Sequence, residues 1–285
     1  MKTFNFTTLL SQRSKNINLF HSNMTSNRLL NYKVFIKLTV VMLISLSSCK
    51  RFSQESLTLK RIEGKQIAID KTLKSDSSLE SYITPYRDSL EGEMNAIIAF
   101  APVTMINTRE GDETLLGNFM ADLCQKRAQE KFSESSSRSI DFTLLNIGGL
   151  RASINKGKVR VNDAFQVMPF ENLLVVAELD YKAVRELLDY LAIEGKPHPV
   201  SKQLKVVFDG NQVRKVLING RALDKNKTYM VLTNDYLLNG GDRMNFFQKA
   251  INVYPLNYKI RNALLDELNE IDTIKVALDK RVIRH

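Results

Sequence analysis

The chain has 285 residues, of which 44% are hydrophobic, so it is long enough to bury a sizeable core. Its formal charge of +10 arises mainly near the N-terminus, because residues 1–48 contain six basic residues and no acidic ones. Without these six, 35 basic residues stand against 31 acidic ones, a net charge of +4. This excess is too small and too dispersed to indicate a nucleic-acid partner.

The N-terminal part of the chain has the features of an export signal. Lys33 and Lys37 precede residues 38–46, an apolar stretch that is too short to span a bilayer but suits the core of a signal peptide. We therefore interpret residues 1–48 as a leader. Because the region before the apolar stretch is unusually long for a signal peptide, Met24 is an alternative start of the protein.

The leader ends in Leu-Ser-Ser-Cys49, which resembles a bacterial lipobox. This resemblance implies that Cys49 is acylated and becomes the first mature residue. The expected location is the bacterial cell envelope, lipid-anchored and facing the periplasm; a plain secretory signal with an incidental cysteine is the alternative. Lys50 does not match the Asp of the inner-membrane retention signal, so the outer membrane is favoured. Cys124, the other cysteine, lies on an apolar helical stretch and is expected in the core.

The first half of the mature chain predicts two amphipathic helices. We interpret residues 49–71 as a tether and a lead-in strand, the strand covering residues 61–70. Asp76 is expected to cap the first helix. Its apolar side chains recur at helical spacing on one face, and these are Leu79, Tyr82, Ile83, Tyr86, Leu90 and Met94. A short strand is expected at 99–105. A second helix is expected at 113–131, with inward residues Leu116, Phe119, Met120, Leu123 and Cys124.

The second half alternates strands, helices and a hairpin. Strands are predicted at residues 140–146, 159–161, 173–179 and 228–232, with a turn or short helix at 162–167. Asp180 is expected to cap a third helix that buries Val184, Leu187, Leu188 and Leu191. Residues 204–208 and 213–218 form a predicted hairpin. A final helix is expected at 258–271 and a last strand at 273–276. Residues 72–285 therefore predict a single α/β domain, an α+β mixed sheet with flanking helices.

Three loops next to predicted strands carry the residues that a nucleotide would need. They are residues 146–151, 168–172 and 234–242. Together they offer an arginine for negative charge, two aromatic rings for stacking and an aspartate for ribose hydroxyls. Binding residues gather on loops that a rigid scaffold positions, so we expect these loops to meet.

The third loop combines an aromatic ring, two glycines and a carboxylate. Tyr236 can offer a flat face to a base, and Asp242 can accept hydrogen bonds from paired hydroxyls. Gly240 and Gly241 allow the backbone to turn and to approach a ligand closely. A plain turn after a strand is the alternative interpretation of this stretch.

Four motifs in order resemble one known family. They are Glu-Thr-Leu-Leu-Gly-Asn at 113–118, Asn-Ile-Gly-Gly-Leu-Arg at 146–151, Pro-Phe-Glu-Asn at 169–172 and Asn-Asp-Tyr-Leu-Leu-Asn-Gly-Gly-Asp at 234–242. They resemble the C-terminal domain of 5′-nucleotidases, a family that includes periplasmic UDP-sugar hydrolases and ecto-5′-nucleotidase. The resemblance covers residues 72–285 and implies a four-layer fold in which this domain forms the substrate-binding pocket.

The resemblance implies a role for each matching residue. Phe170 and Tyr236 sandwich the base, Asp242 holds the ribose hydroxyls, Asn146 contacts the base and Arg151 lies beside ribose and phosphate. The remaining matching positions shape or line the pocket, and they are Gly148, Gly149, Asn172, Gly240 and Gly241. Bland alternatives are a core position for Phe170, a surface ion pair for Arg151 and an ordinary turn at 148–149.

Three positions depart from the family pattern. Tyr236 replaces the usual Phe, which keeps a stacking face and adds a hydroxyl. Arg243 stands where the family usually has Gly, and its side chain could shield the pocket or add a phosphate contact. Asp112 stands where an arginine is expected; Arg109 is nearby, without an assigned role.

The sequence offers no catalytic centre. Family members cleave phosphate esters with two metal ions on a separate N-terminal domain, and such a site needs several His, Asp and Asn ligands. This chain has three His in all: His21 lies in the leader, and His198 and His285 are expected at the surface. We therefore expect no catalytic residue and no cofactor in this chain, with divalent metals on a partner subunit.

Three functions remain open at this point. The favoured one is the nucleotide-recognition half of a 5′-nucleotidase-type hydrolase, which presents a nucleoside monophosphate or related nucleotide to a separate metallophosphoesterase subunit. The alternative is a stand-alone envelope lipoprotein that binds nucleotides or nucleosides without catalysis. A third is a degenerate scaffold whose pocket is blocked by Arg243.

Overall fold

The computed structural model describes residues 40, 42, 61–70 and 72–285. The predicted signal peptide, the lipidation site Cys49 and most of the tether lie outside the described residues. The chain divides into two units, Met1–Leu73 and Lys74–His285. Residues 61–70 are exposed and irregular, so the predicted lead-in strand is wrong. A strand needs a partner for its backbone groups, and none of the described strands pairs with this stretch.

The second unit alternates helices and strands. The helices are α1 (Ser77–Met94), α2 (Leu115–Ser133), α3 (Val161–Val167), α4 (Tyr181–Glu194), α5 (Asp235–Leu238) and α6 (Ile260–Glu270). The strands are β1 (Ile97–Ala101), β2 (Phe142–Thr143), β3 (Gly157–Arg160), β4 (Leu173–Leu179), β5 (Leu204–Asp209), β6 (Gln212–Ile218), β7 (Arg221–Ala222), β8 (Tyr229–Asn234), β9 (Asn252–Lys259) and β10 (Val282–Arg284). Short 3₁₀ turns lie at Ile147–Gly149, Gly241–Arg243 and Asn245–Lys249.

A mixed four-stranded sheet forms the centre of the domain, in the order β2-β8-β4-β9. Strand β2 runs parallel to β8, and β4 runs antiparallel to both β8 and β9. Every residue of β8 is buried, as are all but the first residue of β4. Their continuous apolar sequences fit this position, because a strand covered on both faces needs apolar side chains in both directions.

Helices cover one face of the central sheet, and a helix followed by a second sheet covers the other. Core residues of α2 and α6 pack against Val176 and Leu232. On the opposite face, α4 packs between the central sheet and the sheet of order β10-β5-β6-β7. A two-stranded ribbon, β1-β3, lies beside the α2 and α6 layer. The mixed α/β fold with flanking helices is thereby confirmed, and it stacks four layers.

The predicted second and third helices are confirmed, with their inward residues. Thr114 caps α2 by accepting from the backbone N–H of Gly117, and Cys124 is fully buried. Asp180 caps α4 by accepting from the backbone N–H of Ala183 at 2.7 Å. All predicted core residues of these two helices are buried, and they are Leu116, Phe119, Met120, Leu123, Val184, Leu187, Leu188 and Leu191.

The end of the chain differs from the prediction. Residues 273–276 form no strand; Thr273 makes only an isolated bridge with Phe100. The last strand is β10, which pairs in parallel with β5. Strand β9 was not predicted, because Pro255 interrupts its apolar pattern; the strand lies at the edge of the sheet, where a proline is tolerated.

Helix α1 forms as predicted but does not bury its apolar face. The Asp76 side chain accepts from the backbone N–H groups of Ser78 and Leu79 at 2.9 and 3.2 Å. None of the residues of α1 is buried. Its predicted apolar face is therefore present but faces solvent. Across the described residues, no helix is long and apolar enough to cross a membrane.

The Glu-Thr-Leu-Leu-Gly-Asn motif anchors the C-terminal segment. The Glu113 carboxylate accepts from the backbone N–H of Lys280 at 2.8 Å and from that of Arg281 at 3.3 Å. It also accepts from the Asn118 side-chain amide at 3.2 Å. Asp112, which replaces the expected arginine, accepts from the backbone N–H of Arg284 at 3.0 Å. The motif thus has a structural role, since it places β10 beside β5.

Candidate functional site

The three predicted loops converge at one edge of the central sheet. The first follows β2 and the third follows β8, which run in the same direction. The second loop precedes β4, and because β4 is antiparallel to β8, its start lies beside the end of β8, with Leu174 opposite Asn234. The topology therefore brings residues 146–151, 168–172 and 234–242 together.

The first and third loops are joined by a buried amide pair. The Asn234 side-chain amide donates to the Asn146 side-chain oxygen at 3.3 Å, and Asn234 Oδ1 accepts from the backbone N–H of Leu237 at 2.8 Å. A Cβ placed on Gly148 would lie 3.9 Å from Asp242 Oδ2. Gly148 therefore lies next to the Asp242 carboxylate, which is predicted to hold the ribose. The Asn146 side-chain amide also lies next to Gly148.

Tyr236 and Asp242 form a reciprocal contact. The Tyr236 hydroxyl donates to Asp242 Oδ1 at 3.0 Å, and the Asp242 backbone N–H donates to the Tyr236 hydroxyl oxygen at 3.2 Å. The hydrogen bond to the carboxylate raises the pKa of Tyr236. The hydroxyl that distinguishes this chain from the usual Phe thus fixes the ring relative to the carboxylate.

Gly240 and Gly241 are needed for different reasons. Gly240 has a φ of 86°, in the left-handed region that favours glycine. Gly241 supports the Tyr236 ring, because a Cβ at position 241 would lie 2.5 Å from ring atoms Cε1 and Cζ. The aromatic ring therefore lies directly against the Gly241 backbone, which leaves no room for a side chain there.

Both predicted stacking residues have an open face. The exposed fraction is 43% for Phe170 and 45% for Tyr236, so neither ring is a core residue. The Arg151 guanidinium lies 5.9 Å from the centroid of the Phe170 ring, within cation–π range. The Arg151 side chain is exposed, so its charge is available at the edge of the site.

Asn172 and Asp235 form the wall of a shallow cavity of about 440 Å³ beside Tyr236. The Asn172 side-chain amide donates to Asp235 Oδ1 at 3.1 Å. The same oxygen accepts from the backbone N–H groups of Leu173 and Tyr236 at 3.2 and 2.9 Å. The cavity is completed by Asn239, Gly240 and Gly241. Asp235, which the sequence reasoning did not single out, thus fixes the second loop to the third.

Arg243 adopts a backbone conformation that suits the glycine it replaces. Its φ is 62°, and the preceding Asp242 has a φ of 50°. Consecutive left-handed residues are costly for side chains other than Asn and Asp. The Arg243 side chain is 83% exposed, and its guanidinium lies 3.7 Å from the Glu194 carboxylate at the end of α4.

Two side chains next to the pocket, His198 and Tyr190, were not predicted from the sequence to support it. His198 was expected at the surface, but it is 6% exposed, and its Nδ1 accepts from the backbone N–H of Ile147 at 3.3 Å. Burial lowers the pKa of His198 to about 4, so the ring is neutral at pH 7. Tyr190, whose ring centroid lies 6.0 Å from that of His198, donates its hydroxyl to the Asp242 carbonyl at 2.9 Å. The pair braces the first and third loops.

Arg261 braces the second loop from α6. Its guanidinium donates to the carbonyl of Met168 at 3.2 Å and to that of Phe170 at 3.4 Å, and it also pairs with Glu171. The guanidinium carbon lies 4.4 Å from the centroid of the Phe165 ring. Hydrogen bonding to Lys259 and to Arg261 lowers the pKa of Glu171. Arg261 on α6 therefore fixes the backbone that carries Phe170.

The described residues do not fit the two-metal centre that the family resemblance places on another domain. They contain no group of three or more His, Cys, Asp or Glu side chains that could hold a metal ion. His198, the buried imidazole, already uses one ring nitrogen as an acceptor for backbone. No reaction step through a metal on this chain is therefore assigned.

Comparison with known proteins identifies the family. The family model described as 5′-nucleotidase, C-terminal domain, matches residues 95–249. Similar curated proteins include a 5′-nucleotidase of Vibrio vulnificus, 26% identical over 78% of this chain and 40% of its own length. Another is the trifunctional nucleotide phosphoesterase protein YfkN of Bacillus subtilis, 28% identical over 72% of this chain and 15% of its own length.

A solved structure of a 5′-nucleotidase precursor from Thermus thermophilus has the same fold. Its TM-score is 0.61 at 25% identity, covering 72% of this chain and 42% of that protein. The chain therefore belongs to the 5′-nucleotidase C-terminal domain family. It spans less than half the length of each of these relatives. The matching family model is that of the C-terminal domain, and most of each relative lies outside the region that aligns with this chain.

Proposed function

We propose that this chain is the nucleotide-recognition half of a 5′-nucleotidase-type phosphoester hydrolase. It binds the base and ribose of a nucleoside monophosphate or related nucleotide, while a separate metallophosphoesterase subunit supplies the divalent metals. The observation that carries the proposal is the contact between the Tyr236 hydroxyl and the Asp242 carboxylate across the Gly241 backbone. This contact presents an aromatic face and a hydrogen-bond acceptor at one point.

The Asp242 carboxylate has acceptor capacity left for a ribose. A carboxylate offers about four lone-pair positions on its two oxygens. The Tyr236 hydroxyl uses one of them at Oδ1, and Oδ2 lies near Gly148, with the Asn146 side-chain amide close to the same point. Two ribose hydroxyls can therefore donate to Asp242 while Tyr236 keeps its own hydrogen bond.

Other residues of the site offer aromatic rings for the base and a cation for the phosphate. Phe170 and Tyr236 each expose a ring face, and stacking of a base on an aromatic ring contributes about 1–3 kcal/mol. Arg151 offers a guanidinium beside Phe170, a geometry that suits a phosphate oxygen. The names of the relatives, 5′-nucleotidase and nucleotide phosphoesterase, support a nucleotide as the ligand class.

We also propose that the chain is a lipoprotein anchored through Cys49 and facing the periplasm from the outer membrane. The support is the lipobox-like sequence that ends the apolar stretch at residues 38–46. Radiolabelled palmitate should be incorporated into the wild-type protein and not into a Cys49→Ala variant. Equal labelling of both proteins would contradict acylation at this residue.

The division of labour is tested by recovering the tagged full chain from its native cells. The recovered material should release phosphate from AMP in the presence of divalent metal, and the chain purified alone from a heterologous host should not. Recovery of an Asp242→Ala variant should bring down the same partner with a higher KM for AMP. Wild-type material without phosphatase activity would contradict the separate catalytic subunit.

A further inference from the structure

Helix α1 carries a continuous apolar stripe that faces solvent. The stripe follows the spacing i, i+3, i+4, i+7 and i+11, which places its residues on one side of a helix. The exposed fractions are 59% for Leu79, 69% for Tyr82, 42% for Ile83, 67% for Tyr86 and 58% for Leu90. We call these five residues the α1 stripe.

A helix of this kind needs a binding surface. Helices of fewer than about 12–15 residues are marginal in water, and even longer ones gain most of their stability from packing an amphipathic face. Helix α1 has 18 residues, contains Pro85 and has no buried residue. A proline inside a helix removes a backbone hydrogen bond. Five large apolar side chains that stay in water therefore add no packing stabilisation to the helix, whereas their burial against a partner would stabilise it.

The charges of α1 select the kind of surface. The helix carries Glu80, Asp88, Glu91 and Glu93 against Arg87, which already pairs with Glu80 at 3.0 Å. An anionic lipid surface attracts basic helices and would repel this one. A second copy of α1 would bring like charges together along the stripe. The chemistry instead fits a protein with an apolar groove rimmed by lysine or arginine, in the helix-in-groove mode.

The position of α1 indicates which protein that is. The helix ends at Met94, and the family match begins at residue 95. In the relatives this domain is C-terminal, so the residues before it connect it to the rest of the protein. Helix α1 therefore lies, in sequence, where the remainder of a relative joins this domain. We infer that α1 is the docking helix for the separate metallophosphoesterase subunit, an inference that rests on the proposed function.

Site-specific photo-crosslinking in the native cells tests this inference. A benzophenone amino acid replaces Tyr82 in the full chain, and the matched control carries it at Leu278, an apolar residue that is 56% exposed on another segment. We expect the position-82 adduct to contain a polypeptide with a dinuclear metal-ligand set, and the position-278 protein to give none. Position-82 adducts with a second copy of this chain or with lipid, or equal labelling at both positions, would overturn the inference.

A variant pair gives an independent measurement and separates the two hypotheses. Tyr82→Ser with Tyr86→Ser should lower the recovered AMP phosphatase activity at least tenfold, whereas Leu278→Ser should leave it unchanged. The affinity of both purified variants for AMP should match that of the wild type, because α1 contributes no residue to the pocket. If the wild-type chain co-purifies with phosphatase activity and the double variant co-purifies with as much, the docking inference is wrong while the proposed catalytic subunit stands. If wild-type chain recovers none, the proposed subunit fails as well.

Discussion

Replacement of Gly241 by alanine tests how the aromatic face of the pocket is built. A Cβ at this position would lie 2.5 Å from Cε1 and Cζ and 2.6 Å from Cδ1 of Tyr236. Non-bonded carbons settle at about 3.5–4.0 Å, so the ring must move by about 1 Å or more. Because Tyr236 is 45% exposed, the ring can swing outward into solvent. This movement breaks the contact with Asp242.

The expected cost is small for stability and large for binding. Loss of one partly exposed hydrogen bond lowers the free energy of unfolding by about 1 kcal/mol. Loss of the stacking face costs about 1–3 kcal/mol of binding, or roughly 5- to 150-fold in Kd. Calorimetric titration with AMP and urea unfolding measure the two effects. Gly64→Ala is the matched control, because nothing lies within 4 Å of a Cβ at that position.

Two results would refute this reasoning. If Gly241→Ala binds AMP within twofold of the wild type, the Tyr236 ring does not stack on the ligand. If the variant instead loses several kcal/mol of folding stability, Gly241 is needed for the fold, and the binding loss says nothing specific about the ring. A parallel Tyr236→Phe variant should retain stacking and lose only the hydroxyl contact, with a smaller drop in affinity.

Three further predictions concern the residues behind the pocket. Tyr190→Phe removes the hydrogen bond to the Asp242 carbonyl and should weaken AMP binding about fivefold at nearly unchanged stability. An equal effect from Tyr258→Phe, whose hydroxyl donates to Asp266 and not to a loop residue, would argue against a local cause. Arg261→Met leaves the carbonyls of Met168 and Phe170 without their donor and should cost about 2–4 kcal/mol in urea unfolding; a cost below 0.5 kcal/mol would contradict the brace. His198 has its folded-state pKa lowered to about 4 from the usual 6.5, so the unfolded chain takes up a proton that the folded chain refuses. Its contribution to stability is complete above pH 6.5 and declines as the pH falls toward 4, by about 2 kcal/mol between pH 8 and 5. His198→Gln should remove that slope, and an unchanged slope would show that other groups cause it.

Local patterns predicted the elements whose sequences carry a complete signal. Strand β4 is a continuous apolar run, and α4 has both its cap, Asp180, and a regular buried stripe, so each was predicted closely. Strand β9 was missed because Pro255 breaks its pattern, and β10 because three residues are too few for periodicity. For α1, the spacing of apolar residues identified an amphipathic face but could not show whether other residues cover that face.

The meeting of the three loops was predictable because each loop adjoins a predicted strand. Phe170, Tyr236 and Asp242 were proposed from residue type, motif order and the family resemblance, and the antiparallel pairing of β4 with β8 brings their loops to one edge. His198 was not found, because Lys-Pro-His-Pro has the composition of an exposed loop. Its burial depends on contact with Ile147, which is distant in sequence, and with Tyr190 on the preceding helix, and the loop's composition encodes neither contact.

Calorimetric titration of the purified soluble chain, residues 50–285, with AMP is the most direct test of nucleotide recognition. Adenosine and UDP-glucose serve as comparison ligands, and Phe170→Ala is the control variant, since its ring is 43% exposed and its loss should not unfold the domain. The account predicts saturable binding that weakens by about 1–3 kcal/mol in the variant. No binding of any of the three ligands, or binding that Phe170→Ala leaves unchanged, would contradict a pocket formed by Phe170, Tyr236 and Asp242.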